Sequence, residues 1–181
     1  MNEIEKNLKY IFEPKSIAII GASNTPNKLG NVLLKNLLFG KYAGKIYPVN
    51  PKYENVGGLK CFKSVMDIEG MVDCAIIATP AKTVPEILEE CGKKKIFGVI
   101  ILTGGFGEVG NKDLESQLRE IATRNNIAVI GPNCLGTITT SKHVDNIFFP
   151  MYKLERPKEG GISFITQSGA VGTCVIDMAA K

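Results

Sequence analysis

Five short apolar runs recur along this 181-residue chain: "SIAII" (16–20), "KIYPV" (45–49), "MVDCAIIAT" (71–79), "IFGVIILT" (96–103) and "IAVIG" (127–131). None shows the in-out alternation of a strand with one wet face, so each is read as a strand buried on both sides. Helical spacing separates them. "NVLLKNLLFG" (31–40) ends on Gly40, which suits a C-cap, and "VPEILEECGKK" (84–94) carries Pro85 in its first turn. A third helix is expected near 111–125, and an opening helix from about Glu3 to Phe12 should pack on the outside. Strand and helix in steady alternation predict an α/β chain with a Rossmann-like, doubly wound parallel sheet.

Residues 138–160 break the rhythm, with two prolines, many polar residues and no periodicity, and read as a crossover or linker. "GISFIT" (161–166) then predicts a new strand, and "AVGTCVIDMAAK" a helix that is apolar almost all round and so expects burial on most sides. The division expected is 1–150 for the sheet domain and 151–181 for a linker and the start of a second one. No apolar run approaches the ~18 residues of a membrane helix, and the N-terminus has no signal-peptide pattern. Five scattered cysteines show no metal spacing and point to free thiols in a cytoplasmic setting. Net charge is +4, too small to argue for nucleic acid, but it is unevenly spread. Residues 28–63 hold seven lysines against one acid, Glu54, a net +6. Either this is a solvated surface or it serves a multiply phosphorylated small ligand.

Ligands of an open parallel sheet bind beyond the carboxyl ends of its strands. After the first strand comes "GASNTPNKLG": Gly21 allows a tight turn, Ser23, Asn24 and Thr25 offer donors, and a helix N-terminus follows. The strict dinucleotide pattern GxGxxG is absent. After the second strand, where an NAD-binding domain places an acid, stand Asn50, Pro51 and Lys52. A cation there suits a ribose phosphate, which NADP and coenzyme A both carry, and Pro51 fixes backbone against which an adenine could lie. Thr79, Pro80 and Ala81 form a small-residue loop after the third strand. "TGGFGEVG" follows the fourth, and two glycine-rich loops at neighbouring strand ends point to a ligand. After the fifth, "GPNCLG" carries Asn133 and Cys134. Nothing in the sequence depresses the Cys134 thiol, so it is not read as a nucleophile.

Taken together, "IFEPKSIAIIGAS", "YPVNPK", "ATPA", "GPNCLG" and "FITQSGAVG" occur in the order found in ADP-forming acyl-CoA synthetases, relatives of the succinyl-CoA synthetase α subunit, and the chain resembles that family from about residue 10 onward. The resemblance implies a domain that binds coenzyme A. Gly21 and Ser23 would lie near its phosphates. Val49, Pro51 and Lys52 would contact the adenine and 3′-phosphate, Thr79, Pro80 and Ala81 the pantetheine, and Asn133 and Cys134 the thiol end. It also implies a flavodoxin-like second domain. That domain's first helix, entered through Ser168, Gly169 and Ala170, points at a phosphohistidine. Such enzymes interconvert acyl-CoA, ADP and phosphate with acid, CoA and ATP, using ATP-grasp domains or subunits that hold the nucleotide and Mg2+. The only histidine here, His143, lies upstream of that loop and is not assigned the role. On this reading the chain binds CoA or acyl-CoA and does not turn over alone, with no metal site of its own, no nucleic acid or membrane partner, and homo-oligomerisation open. A stand-alone CoA-binding protein and an NAD(P)-binding Rossmann protein are the alternatives.

Overall fold

The computed structural model describes residues 3–181. Five parallel strands form its centre: β1 (Ser16–Ile20), β2 (Lys45–Val49), β5 (Cys74–Ile77), β6 (Gly98–Ile101) and β7 (Ala128–Ile130), in the order β2-β1-β5-β6-β7. Two hairpins flank them, β3 (Asn55–Val56) with β4 (Leu59–Lys60), and β8 (Ile138–Thr139) with β9 (Val144–Asp145). The helices are α1 (Glu3–Asn7), α2 (Lys9–Phe12), α3 (Leu29–Phe39), α4 (Val84–Lys93), α5 (Lys112–Arg124) and α6 (Gly169–Ala179).

β1 shows why continuous apolar strands are needed. All five of its residues are buried. Ile17 and Ile19 face α2 and α3, joining Ile11, Leu33, Leu34 and Leu37. Ala18 and Ile20 face the opposite side, where α4 and α5 contribute Leu88, Leu118 and Ile121. Each such aliphatic side chain contributes roughly 1.5–3 kcal/mol by leaving water, so the two-sided core explains the absence of alternation. The opening helix is broken at Leu8 into α1 and α2. It meets the sheet over Gly98, where a Cβ would come within 2.9 Å of the Tyr10 side chain.

The segment after β7 is not a free linker. Residues 144–156 form a strap across α3. Asn36, buried in the middle of that helix, donates from Nδ2 to the carbonyls of Ile147 (2.8 Å) and Phe149 (3.0 Å). The Arg156 guanidinium reaches Asp145 with Nε to Oδ2 at 2.8 Å and Nη2 to Oδ1 at 3.3 Å, both side chains being under a tenth exposed. It also donates to the carbonyls of Phe149 and Leu154. Burial pushes the Asp145 carboxyl above its ordinary value, with Arg156 pulling it back down. The sequence pattern hides this strap because its anchors are polar side chains bonded to backbone rather than a periodic apolar face.

Two expectations fail at the C-terminal end. Residues 161–166 are exposed and pair with no strand among the described residues. A strand is a relation to a neighbour, and nothing here supplies the ladder. The apolar helix does form, as α6, yet only Gly172 on it is buried; Val171 is 49% and Met178 73% exposed.

Candidate functional site

The chain leaves β1 and β5, adjacent in the sheet, toward opposite faces, which opens a crevice at their carboxyl ends. Into it run the loops after all five strands. Gly21 turns there with φ +95°, its N–H donating to the carbonyl of Val49 at 2.9 Å. A Cβ on Gly30, at the start of α3, would lie 2.1 Å from the Gly21 carbonyl oxygen. Glycine at both positions is thus what lets the helix N-terminus sit against the strand end. No hydrogen bond reaches the amides of Leu29 and Gly30 among the described residues, so they are among the donors a helix N-terminus leaves open.

The loop 22–28 is tied to the segment after β2 by side chains from both. Asn50 Nδ2 donates to the carbonyl of Ala22 at 2.8 Å, while Asn50 Oδ1 accepts from the Lys52 amide at 3.0 Å. Asn24 Nδ2 donates to Asn55 O at 2.9 Å and its Oδ1 accepts from Gly57 N at 3.0 Å. The Tyr53 phenol lies against the hydroxyls of Ser23 and Thr25. Those contacts, with Lys28 and Lys52 nearby, hold it below its ordinary value. Ser23 is buried and its Oγ accepts from Thr25 N at 3.0 Å. The sequence placed Asn24 and Asn50 at these strand ends without the ties they make, and did not single out Tyr53. The "VGGL" turn, whose Gly57 and Gly58 both adopt positive φ, is the signal that could have placed the β3–β4 hairpin that carries these ties.

The predicted residues fall as follows. Lys52 and Pro51 are exposed at the end of β2, and Lys52 makes no ion pair among the described residues. Val49 is 3% exposed, so its side chain belongs to the core and only its backbone faces the loop. Thr79 accepts from Thr83 Oγ1 at 2.9 Å, and Thr103 Oγ1 donates to its carbonyl at 2.7 Å; Pro80 is exposed and Ala81 half-buried beside it. Asn133 has a left-handed backbone (φ 55°) and its amide donates to Thr103 O at 3.0 Å. The Cys134 thiol, 3.4 Å from the carbonyl of Ile101, is pushed by burial up to about 11, so it is not a thiolate nucleophile at neutral pH.

The second glycine-rich loop, after β6, behaves differently from expectation. The Glu108 carboxylate accepts from the amides of Gly105 and Phe106, and Glu115 accepts from Gly107 N at 3.0 Å. Hydrogen bonds from Gly105 and its neighbours hold Glu108 below its ordinary value. Amides that a phosphate could use are therefore already occupied.

A cavity of about 650 Å³ lies between the sheet edge and the C-terminal segment, lined among others by Leu29, Leu102, Asn133, Cys134, Phe148 and Gly169. α6 begins on its rim. Ser168 caps that helix, its Oγ accepting from Val171 N at 3.3 Å, while Thr166 Oγ1 accepts from Ser168 N at 3.0 Å. The amides of Gly169 and Ala170 make no hydrogen bond among the described residues. His143 is exposed in the turn between β8 and β9, away from these groups in the element order. No group of three or more His, Cys, Asp or Glu that could hold a metal occurs among the described residues, and no helix there is long and apolar enough to cross a membrane.

The N-terminus of α3, a lysine without an ion pair among the described residues and small-residue loops thus lie at the carboxyl ends of the strands, without a dinucleotide signature. Residues 15–140 match the CoA binding domain model, and the chain belongs to that family. It is 51% identical over 172 residues to an ADP-forming acetate–CoA ligase of Methanocaldococcus jannaschii, covering 95% of this chain and 24% of the ligase. It is 46% identical to the α subunit of ADP-forming acetate–CoA ligase II of Pyrococcus furiosus, covering 93% of this chain and 36% of that subunit. The structure of a Ca. Korarchaeum cryptofilum acetyl-coenzyme A synthetase in complex with phosphate and ADP superposes with a TM-score of 0.88 at 36% identity, over 96% of this chain and 36% of the other. The chain thus spans between a quarter and about a third of the length of these relatives.

Proposed function

We propose that this chain is the CoA-holding part of an ADP-forming acyl-CoA synthetase. The observation that carries the reading is that Ser23, Lys52, Thr79–Ala81 and Asn133–Cys134 all follow the carboxyl ends of the parallel strands, with no ion pair at Lys52 and no hydrogen bond to the first α3 amides among the described residues. In this reading Lys52 takes the 3′-phosphate and Pro51, with the Val49 backbone, the adenine. Gly21, Ser23 and the α3 N-terminus take the pyrophosphate, the loop Thr79–Pro80–Ala81 lies along the pantetheine, and Asn133 and Cys134 flank the thiol. A half-buried, protonated Cys134 lines the site without competing for the acyl group.

The complete enzyme would convert acyl-CoA, ADP and phosphate to acid, CoA and ATP through a phosphohistidine supplied by another part of the enzyme. The open amides of Gly169 and Ala170, with the Ser168 cap behind them, are suited to face that phosphoryl group. ADP, ATP and Mg2+ would bind in ATP-grasp parts contributed by the same or a partner chain. Five free cysteines fit a reducing cytoplasm.

Calorimetric titration with CoA, dephospho-CoA, NAD and NADP tests the reading. CoA is expected to bind tightest; tightest binding of NAD would overturn it. The Lys52→Ala variant should lose about 1–3 kcal/mol of CoA affinity, as for a charged hydrogen bond removed.

A further inference from the structure

We propose that Asn50 is a positioning residue that makes the two ends of this binding site act together; the inference rests on the CoA reading above. One side-chain amide serves both loops. Its Nδ2 donates to Ala22, immediately before Ser23 in the loop after β1, and its Oδ1 accepts from the amide of Lys52 in the loop after β2. Its backbone is fixed as well, with Asn50 N donating to Phe62 O at 2.8 Å and Asn50 O accepting from Tyr53 N at 3.3 Å. The residue is half-buried, and its side-chain oxygen and one of its two amide N–H groups are engaged in these bonds. An acid at this place, as in ribose-binding sheets, would lose the donor to Ala22 and put a carboxylate against a carbonyl. An amide is the group of this size that can both donate and accept.

The consequence is mechanical. Moving the Lys52 backbone shifts Asn50 Oδ1, and through the planar amide shifts the carbonyl that sets the position of Ser23 and the α3 N-terminus. The other ties to the loop, from Asn24 and Tyr53, do not touch the Lys52 amide. Asn50 is the side chain that bonds both the Lys52 amide and the loop after β1. A phosphate held at Lys52 therefore steadies the loop that holds the second phosphate group, and the contribution of the 3′-phosphate to affinity exceeds its own contact with the lysine.

The test is a set of CoA and dephospho-CoA titrations on Asn50→Ala, Asn50→Asp, Lys52→Ala and the Asn50→Ala/Lys52→Ala double variant, with thermal unfolding of each. In Asn50→Ala the preference for CoA over dephospho-CoA should shrink by about fivefold to tenfold, and on the Lys52→Ala background the same change should have almost no effect on that preference. Asn50→Asp, nearly isosteric, should show the same loss while remaining folded. Equal weakening of both ligands, or additive effects of the two substitutions, overturns the proposal and leaves Asn50 a merely structural residue. Failure of the unaltered chain to bind CoA at all overturns the CoA reading itself, and with it this inference.

Discussion

The loops after β1 and β6 carry the same advertisement: glycines, small polar residues and a helix close behind. The structure gives them opposite fates. In the loop after β1, the side chains of Asn24, Asn50 and Tyr53 bind the loop's flanks, and the first amides of α3 are left without a hydrogen bond among the described residues. In the loop after β6, Glu108 and Glu115 fold back onto the amides of Gly105, Phe106 and Gly107, and the loop is complete in itself. Glycine content opens room for an anion. Whether an anion is wanted depends on whether a carboxylate of the chain's own already sits there.

That contrast can be broken at several points. The largest effect is expected from Arg156→Met, which leaves Asp145 buried without its partner and should cost about 3–5 kcal/mol in denaturant unfolding. It releases the strap from α3, so CoA binding should weaken while the amides of Gly105 and Phe106 keep their protection in hydrogen exchange. Without Arg156 the Asp145 carboxyl rises further above its ordinary 3.8, so the deficit should be greatest at neutral pH and narrow as the pH falls and the group takes up a proton. Gly30→Ala comes next. Its Cβ meets backbone rather than a movable side chain, and a loss of about 2–3 kcal/mol is expected together with loss of CoA binding. Lys52→Ala should follow, weakening CoA with no change in unfolding midpoint. The smallest effect belongs to Glu108→Gln, which should leave CoA affinity unchanged; a marked loss would show that the β6 loop takes part in binding after all. Because the folded value of Glu108 is depressed below 4.5, the stabilisation it gives is present above that pH and fades as the pH falls through the lowered value. Exchange rates of the Gly105 amide against pH would reveal it.

Much of the fold is legible in the sequence because parallel strands buried on both faces leave an uninterrupted apolar signal. β1 and β2 fall at the residues expected, and β5, β6 and β7 lie inside longer apolar runs whose ends, such as Thr79 and Thr103, turn out to be loop. The runs overshoot because apolar or small residues continue past the last ladder bond. The strap and the β3–β4 hairpin are harder to read, being held by Asn36, Asp145 and Arg156 and by a two-glycine turn rather than by periodicity. Residues 161–166 have the composition of a strand and lack only a neighbour, which composition cannot supply. At the site, the loops at each strand end are recoverable from chain order alone. The occupation of amides by Glu108 and Glu115 is not, since it depends on two side chains curling back across two to eight residues.

The three side-chain ties on loop 22–28 also bear on how fast a ligand comes and goes. With Asn24, Asn50 and Tyr53 holding the loop near its bound position, little search follows encounter, so arrival should be governed by diffusion and by the lysine-rich field of residues 28–63, slowing as salt is added. Loosening a tie should then show mainly as a shorter residence time, with the arrival rate nearly untouched.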